Sequence, residues 1–295
     1  MLSDSFPNGI GQCFILIPVH NRRFLTLKCL NHLATQADLD LFQILVIDDG
    51  STDGTSQAIK KQYPQVQVLK GDGGLWWTGA MELGMKYAYD RGAEYFVWLN
   101  DDTLPAAGAI SALIALCTRR PRCIVAGQCY SDDGIDQPTY GGFCHGWLKH
   151  SAIAAKPNQL QVCDSVNGNL VCLPRSVVSD IGYPPAKKAP HYHGETIYTW
   201  RAKQEGYTLL LSGDITARCA KNPGNPSWLR ADTSIVELWQ QFRSPKSPFY
   251  MSGFWHFCMA LWGPLGMLIF VQPYGRLGII SLIKWIVPKA WLRQV

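Results

Sequence analysis

Val46-Ile47-Asp48-Asp49-Gly50-Ser51-Thr52-Asp53-Gly54-Thr55 decides the fold, because it runs an apolar strand straight into carboxylates and turn residues. Phe96-Val97-Trp98-Leu99-Asn100-Asp101-Asp102-Thr103 repeats the layout further along. Open α/β sheets bind ligands at the carboxyl ends of their strands, so acids placed there face a crevice and not a core. Working outward, strands are predicted at Cys13 to Val19, Gln43 to Ile47, Val66 to Leu69, Tyr95 to Leu99 and Ile124 to Gly127. Amphipathic stretches between them predict helices at Phe24 to Ala34, Thr55 to Tyr63, Thr78 to Asp90 and Pro105 to Thr118. The fold class is therefore α/β, a mostly parallel sheet flanked by helices.

Composition sets bounds. With 295 residues, 47% hydrophobic and 17% charged, the chain has ample core and is not disordered. A net charge of +5, with no run that interleaves basic and aromatic residues, excludes a nucleic-acid groove. The 10 cysteines are scattered, several within apolar runs, and form no Cys-x-x-Cys pair, so buried thiols in a reducing compartment are expected. Residues 1–12 read as a tail without a signal peptide, which predicts a cytosolic catalytic face. Residues 13–243 read as one catalytic domain with halves 13–127 and 128–243. From Tyr130 to Asn167 the pattern loosens into what reads as pocket-shaping loops. After the linker Arg243-Ser244-Pro245-Lys246-Ser247-Pro248, residues 244–295 read as a hydrophobic helical extension.

On chemistry alone, Asp49 at a strand end can accept from the N3–H of uracil or thymine, while Asp48, Asp49 and Asp53 equally suit capping of the next helix. Asn100-Asp101-Asp102 suits a hard divalent ion shared with diphosphate oxygens, or a solvated acidic turn. Glu195, after His191-Tyr192-His193-Gly194, opens a helix, where a carboxylate serves as a base or as an ordinary N-terminal helix acid. Gly71-Asp72-Gly73-Gly74-Leu75-Trp76-Trp77 lacks dinucleotide and P-loop spacing, and suits either close backbone approach to a ligand or a turn with packed tryptophans.

Together, Ile15-Leu16-Ile17-Pro18-Val19-His20-Asn21-Arg22, the two acidic stretches, and Gly194-Glu195 with Arg201-Ala202 resemble the family 2 glycosyltransferases of GT-A fold, over Phe14 to Lys221. The run Gly71 to Gly84 is similar to a rhamnosyltransferase-like branch of surface polysaccharide synthesis. The resemblance implies an inverting, metal-dependent transfer of one sugar from a UDP- or dTDP-sugar to a glycan or polyprenyl-linked glycan. It implies donor contacts from Pro18, Val19, Asn21, Arg22, Asp48, Asp49, Gly73, Trp77, Asn100 and Asp101, with Asp102 as ligand to Mg2+ or Mn2+. It makes Glu195 the catalytic base, and suggests acceptor or phosphate contacts from His191, His193, Arg201 and Arg218. Three departures stand out: Asn100 where relatives have Asp, Ile197 where they carry a second acid, and no His in Asp214 to Pro223, where Arg218 or Lys221 would meet the diphosphate charge. The rival expectations are a nucleotidyltransferase and an inactive donor- or glycan-binding assembly subunit.

Phe254 to Val271 approaches the roughly 20 apolar residues that span a bilayer, but Gly263-Pro264 interrupts it. An in-plane membrane foot on the inner face of the cell membrane fits better, with Trp255, Trp262, Trp285 and Trp291 at the interface and Lys284, Lys289 and Arg293 toward phosphates. Soluble helices packed on the catalytic domain and a true span are the remaining alternatives.

Overall fold

The run Cys-Phe-Ile-Leu-Ile-Pro-Val is apolar at every position because it forms a central strand covered on both faces. In the computed structural model, which describes residues 12–131, 137–220 and 234–286, it is β1 (Cys13–Val19). There follow α1 (Arg23–Thr35), α2 (Asp38–Leu41), β2 (Gln43–Asp48), α3 (Thr55–Gln62), β3 (Gln67–Lys70), α4 (Trp76–Asp90) and β4 (Tyr95–Leu99). Next come β5 (Leu104–Pro105), α5 (Ala109–Thr118), β6 (Cys123–Tyr130), β7 (Gly142–Gly146), β8 (Lys149–Ile153), β9 (Leu160–Cys163), β10 (Ser165–Val166) and β11 (Leu170–Pro174). The remainder is α6 (Arg175–Ile181), α7 (Gly194–Gln204), β12 (Thr208–Arg218), α8 (Ile235–Arg243), α9 (Met251–Trp262), a 3-10 turn (Gly263–Leu265) and α10 (Gly266–Ile286).

The main sheet has the order β3-β2-β1-β4-β11-β6-β12-β5, with β9 also paired to β12. Strands β3, β2, β1 and β4 are parallel. Strand β11 then enters antiparallel between β4 and β6, and the sheet as a whole is mixed. Side chains alternate across it. Ile15, Ile17, Val46 and Val97 pack with Leu30 and Leu33 of α1 and Leu113 of α5, whereas Phe14, Leu16, Phe96 and Trp98 pack with Met81 and Met85 of α4 and Tyr198 of α7. The result is an α/β/α sandwich with two separate apolar layers.

Element boundaries moved where backbone pairing outweighed local pattern. The helix predicted from Pro105 starts at Ala109, because Leu104 and Pro105 pair with Arg218 and Ala217 of β12. The supposed loops from Tyr130 to Asn167 hold a second small sheet, β10-β7-β8. Its strands β7 and β8 are short and half-exposed and β10 has only two residues, so they lack the apolar alternation that marks a strand in sequence.

The C-terminal helices lie against this body. Phe254, Phe257 and Cys258 of α9 close over Ile197 of α7 and Ala189, and α10 packs back on α9. Trp200 and Trp262 donate their indole N–H groups to the carbonyls of Ala260 (2.8 Å) and Gly146 (3.1 Å). Trp262, expected at a membrane interface, is thus hydrogen-bonded to the end of β7. Nine cysteines are buried and Cys144 is half-buried, all as free thiols. Lys221, Lys289, Trp291 and Arg293 lie outside the described residues.

Candidate active site

The sheet order reverses between β1 and β4: the chain steps from β1 outward to β2 and β3, then returns to the other side of β1. Such switch points open a crevice at the strand ends. A cleft of about 540 Å³ lies there, lined by Pro18, Val19, His20 and Arg22 after β1, Asp49 after β2, Gly73 after β3 and Asn100 to Asp102 after β4. Its other wall comes from Tyr140, Phe143 and His150, from Asn167 to Asn169, and from His191 to Glu195 at the start of α7. Asp49, Asp102 and Glu195, remote in sequence, therefore share one cavity.

Asp49 is 5% exposed and holds the glycine-rich turn by its backbone. Its carboxylate accepts from the amides of Gly73 (2.8 Å), Leu75 (3.2 Å) and Trp76 (2.9 Å). Trp76 carries φ +57°, a left-handed conformation that costs about 1–2 kcal/mol for a non-glycine residue. The bond to Asp49 offsets that strain, and Trp76 lines the cleft. Trp77 instead donates its indole N–H to Asn100 Oδ1 (2.8 Å), and its ring fills the space over Gly168, where a Cβ would stand 2.1 Å from it.

Two expected donor contacts are turned away. Asp48 accepts from the Ser51 amide (2.9 Å) and the Ser56 hydroxyl, so its carboxylate braces the turn before α3 and does not line the cleft. Asn21, at φ +52°, accepts from the Thr52 amide (2.7 Å) and pins the β1 turn to the β2 turn. Both corrections have one cause: tight acidic turns consume their own polar groups as caps.

The Asn100-Asp101-Asp102 stretch is bridged by Arg22, whose guanidinium reaches Asp101 Oδ1 (3.1 Å) and Asp102 Oδ2 (2.7 Å). Asp101 is 2% exposed and also accepts from Thr26 (3.3 Å). Burial pushes its carboxyl up to about 7, against the pull of Arg22. Asp102 is the more open acid, with Cys219 Sγ 3.6 Å from its Oδ1. Among the described residues no three His, Cys, Asp or Glu side chains converge as a closed metal cage. Two adjacent hard-oxygen donors at an open cleft still fit a divalent ion whose remaining positions are taken by substrate phosphates.

Glu195 sits at the first turn of α7, partly exposed to the cleft. Burial raises its carboxyl from 4.5 to about 7, opposed only by its own amide. Gly194 lets this helix start approach α4, since a Cβ there would lie 2.0 Å from Thr78 Oγ1. Ile197, two residues on, is 4% exposed within the α7–α9 cluster, so the position of the missing second acid is a packing position here.

The four suggested acceptor or phosphate contacts divide. His191 lines the cleft edge-on to Trp76, at 5.9 Å between ring centroids. His193 also reaches the cleft, but its Nε2–H donates to Pro248 O (2.7 Å), its ring stacks on Phe257, and burial lowers its pKa to about 4. It is a clamp for the C-terminal segment. Arg201 donates to Ile181 O (2.9 Å) and Arg218 to Ser131 O (3.2 Å), and neither lines the cleft.

Sequence reasoning missed His20, whose Nδ1–H donates to Asp49 O (2.5 Å), together with His150 and Lys246. His20 lay within a quoted motif. Lys246 gave no signal, because its stretch read as a linker.

Comparison with known proteins agrees with this layout. Residues 14–161 match the description Glycosyl transferase family 2. The chain belongs to that family. This family 2 chain is 24% identical to the Glycosyltransferase AglE of Haloferax volcanii over 208 residues, 68% of the chain and 64% of that protein. It is 32% identical to the N-acetylglucosaminyl-diphospho-decaprenol L-rhamnosyltransferase of Mycobacterium tuberculosis over 130 residues, 41% of the chain and 40% of that relative. It thus spans less than two thirds of the length of either. Among solved structures, GalNAc-T7 with UDP, GalNAc and Mn2+ superposes with a TM-score of 0.66 at 12% identity, covering 97% of this chain and 56% of the other. TarS of S. aureus, residues 1–349, gives 0.55 at 13% identity, covering 93% and 89%. These likenesses establish a GT-A fold for the family 2 chain.

Proposed function

We propose that the protein is an inverting glycosyltransferase that moves a sugar from a UDP- or dTDP-sugar to a hydroxyl of a glycan or lipid-linked glycan. The observation that carries the reading is that Asp49, Asp102 and Glu195 line one cleft at the switch point of the sheet. Among structural neighbours, TarS 1–349 was solved with UDP-GlcNAc, the Pyrobaculum calidifontis mannosyltransferase with GDP-Man and Mn2+, and GalNAc-T7 with UDP, GalNAc and Mn2+.

In this reading the donor base lies along Pro18, Val19 and Gly73, with Asp49 holding the Gly73–Trp76 amides that form the cradle. Asp102 would hold a divalent ion, Mg2+ or Mn2+, and such an ion neutralises the leaving diphosphate. Asp101, locked to Arg22 and Thr26, positions Asp102 from behind. Glu195 accepts the proton of the acceptor hydroxyl. The hydroxyl oxygen bonds to the anomeric carbon as the carbon–oxygen bond to the diphosphate breaks, with its electron pair leaving on the nucleotide. One base on the face opposite the leaving group suffices for inversion. A carboxyl held near 7 is matched to that task at neutral pH.

The division into a catalytic domain, 13–243, and a helical extension, 244–295, belongs to the same reading. On α10, Leu268, Val271, Ile279, Leu282 and Ile286 are exposed at helical spacing on one side, with Trp285 77% exposed beside them. Leu277 and Pro273 on the opposite side are buried against the body. Such a stripe fits shallow insertion into the cytoplasmic leaflet.

The test is calorimetric titration of UDP and dTDP with Mn2+ together with assays of donor hydrolysis and transfer. Asp102→Ala is expected to lose metal-dependent nucleotide binding. Glu195→Gln should keep donor binding while turnover falls by about 10²-fold or more. Full turnover in Glu195→Gln removes the base assignment, and no nucleotide binding by the wild type removes the transferase reading.

A further inference from the structure

Trp76, His191 and Lys246 meet on the wall of the cleft, although they come from three distant parts of the chain. Lys246 Nζ lies 5.8 Å from the Trp76 ring centroid, and the His191 ring lies edge-on to the same indole. His191 Nδ1 is buried and has no hydrogen-bond partner, a state that costs about 1–3 kcal/mol unless a ligand fills it. Lys246 has no carboxylate partner among the described residues, in contrast to Arg22, which is committed to Asp101 and Asp102.

The loop that carries Lys246 is held in place. Ser244 accepts from the amides of Lys246 (Oγ, 3.2 Å) and Ser247 (main-chain O, 2.9 Å), Ser247 Oγ accepts from Phe249 N–H (3.1 Å), and His193 binds the Pro248 carbonyl. The backbone that carries Lys246 is therefore tied, two residues on at Pro248, to His193 just before the start of α7. The same segment runs directly into α9 and then α10, with its exposed apolar side. A cation, an unpartnered imidazole and an indole face together suit an anionic group attached to a sugar, and the apolar helices that follow suit a hydrocarbon chain.

We infer that Trp76, His191 and Lys246 form an acceptor subsite that binds the diphosphate of a lipid-linked glycan, with Lys246 as the charge that selects it. This rests on the glycosyltransferase reading of the cleft. Lys246 is a specificity residue and does not touch the reacting atoms.

The experiment uses the full chain saturated with UDP and Mn2+ and measures binding of farnesyl diphosphate, farnesol and inorganic pyrophosphate by calorimetry. Wild type should bind farnesyl diphosphate about tenfold more tightly than farnesol, and Lys246→Met should abolish that preference while Lys246→Arg keeps most of it. Equal affinity of wild type and Lys246→Met for farnesyl diphosphate overturns the subsite. Pyrophosphate binding as tight as farnesyl diphosphate, with the same dependence on Lys246, overturns the lipid assignment in favour of a free anion. Failure of the wild type to bind UDP or dTDP in the saturating step counts against the transferase reading instead, so the two failures are distinguishable.

Discussion

Glu195 owes its proton affinity to its surroundings and not to a partner, which makes its effects separable. With the folded-state carboxyl raised to about 7 from 4.5, its contribution to stability is full below pH 4.5 and is lost as pH rises through 7. Glu195→Gln stays neutral, so it should melt higher than wild type at pH 8, by on the order of 2–3 kcal/mol, and like wild type near pH 4. Turnover should climb with pH through about 7, and thermal melts and pH–rate profiles check both limbs. Arg22 supports a second expectation. Its guanidinium offsets two adjacent carboxylates, so in Arg22→Gln the pair carries more net negative charge and nucleotide-free Mn2+ binding, read by electron paramagnetic resonance, should tighten about tenfold. Unchanged affinity would mean that Arg22 does not hold the pair in solution. The acids at the strand ends were legible in sequence because strand-to-turn junctions are local. The inward turn of Asp48, the Arg22 bridge and the arrival of Lys246 were not, because each depends on tertiary approach.

Helix α7 carries Glu195 at its start and the C-terminal helices along its side, so it couples the chemistry to the extension. Restoring an acid by Ile197→Asp would bury a charge among Phe254, Phe257 and Ala189. The expected loss exceeds about 3 kcal/mol, with no gain in turnover, and denaturant titration against the conservative Ile197→Val separates charge from volume. Gly194→Ala drives a methyl into Thr78 and should cost about 1–3 kcal/mol, while the double variant Gly194→Ala, Thr78→Ala, which removes both the Thr78 hydroxyl and its methyl, should recover part of it. The first half of the sheet was readable because β1, β2 and β4 are long apolar runs with turn chemistry after them. Strands β7 and β8 were not, since half-exposed short strands lack periodicity, and β10, though buried, is only two residues long.

The whole molecule presents a cleft that carries the acids and, on the C-terminal helices, an apolar stripe within one continuous segment, 244–286. Replacing Leu268, Val271, Ile279 and Leu282 together by Gln should weaken partition onto anionic vesicles by about tenfold or more and leave hydrolysis of a soluble donor unchanged. Sedimentation with vesicles checks it, and equal partition would remove the membrane foot. The extension was visible in sequence as apolar composition, but its attachment to the catalytic body was not, because Trp200, Trp262 and His193 find their partners far along the chain.

Strand β11 has one more implication, for the order in which the protein is made. Among the described residues it is the one strand that joins β4 to β6 in the main sheet, yet it is translated after both. During synthesis the two earlier strands emerge with their facing edges open, and they cannot be joined until the segment through Pro174 has left the ribosome. Nascent chains halted before that point should therefore remain protease-sensitive and prone to edge-to-edge association, whereas those halted beyond Arg218 should resist digestion.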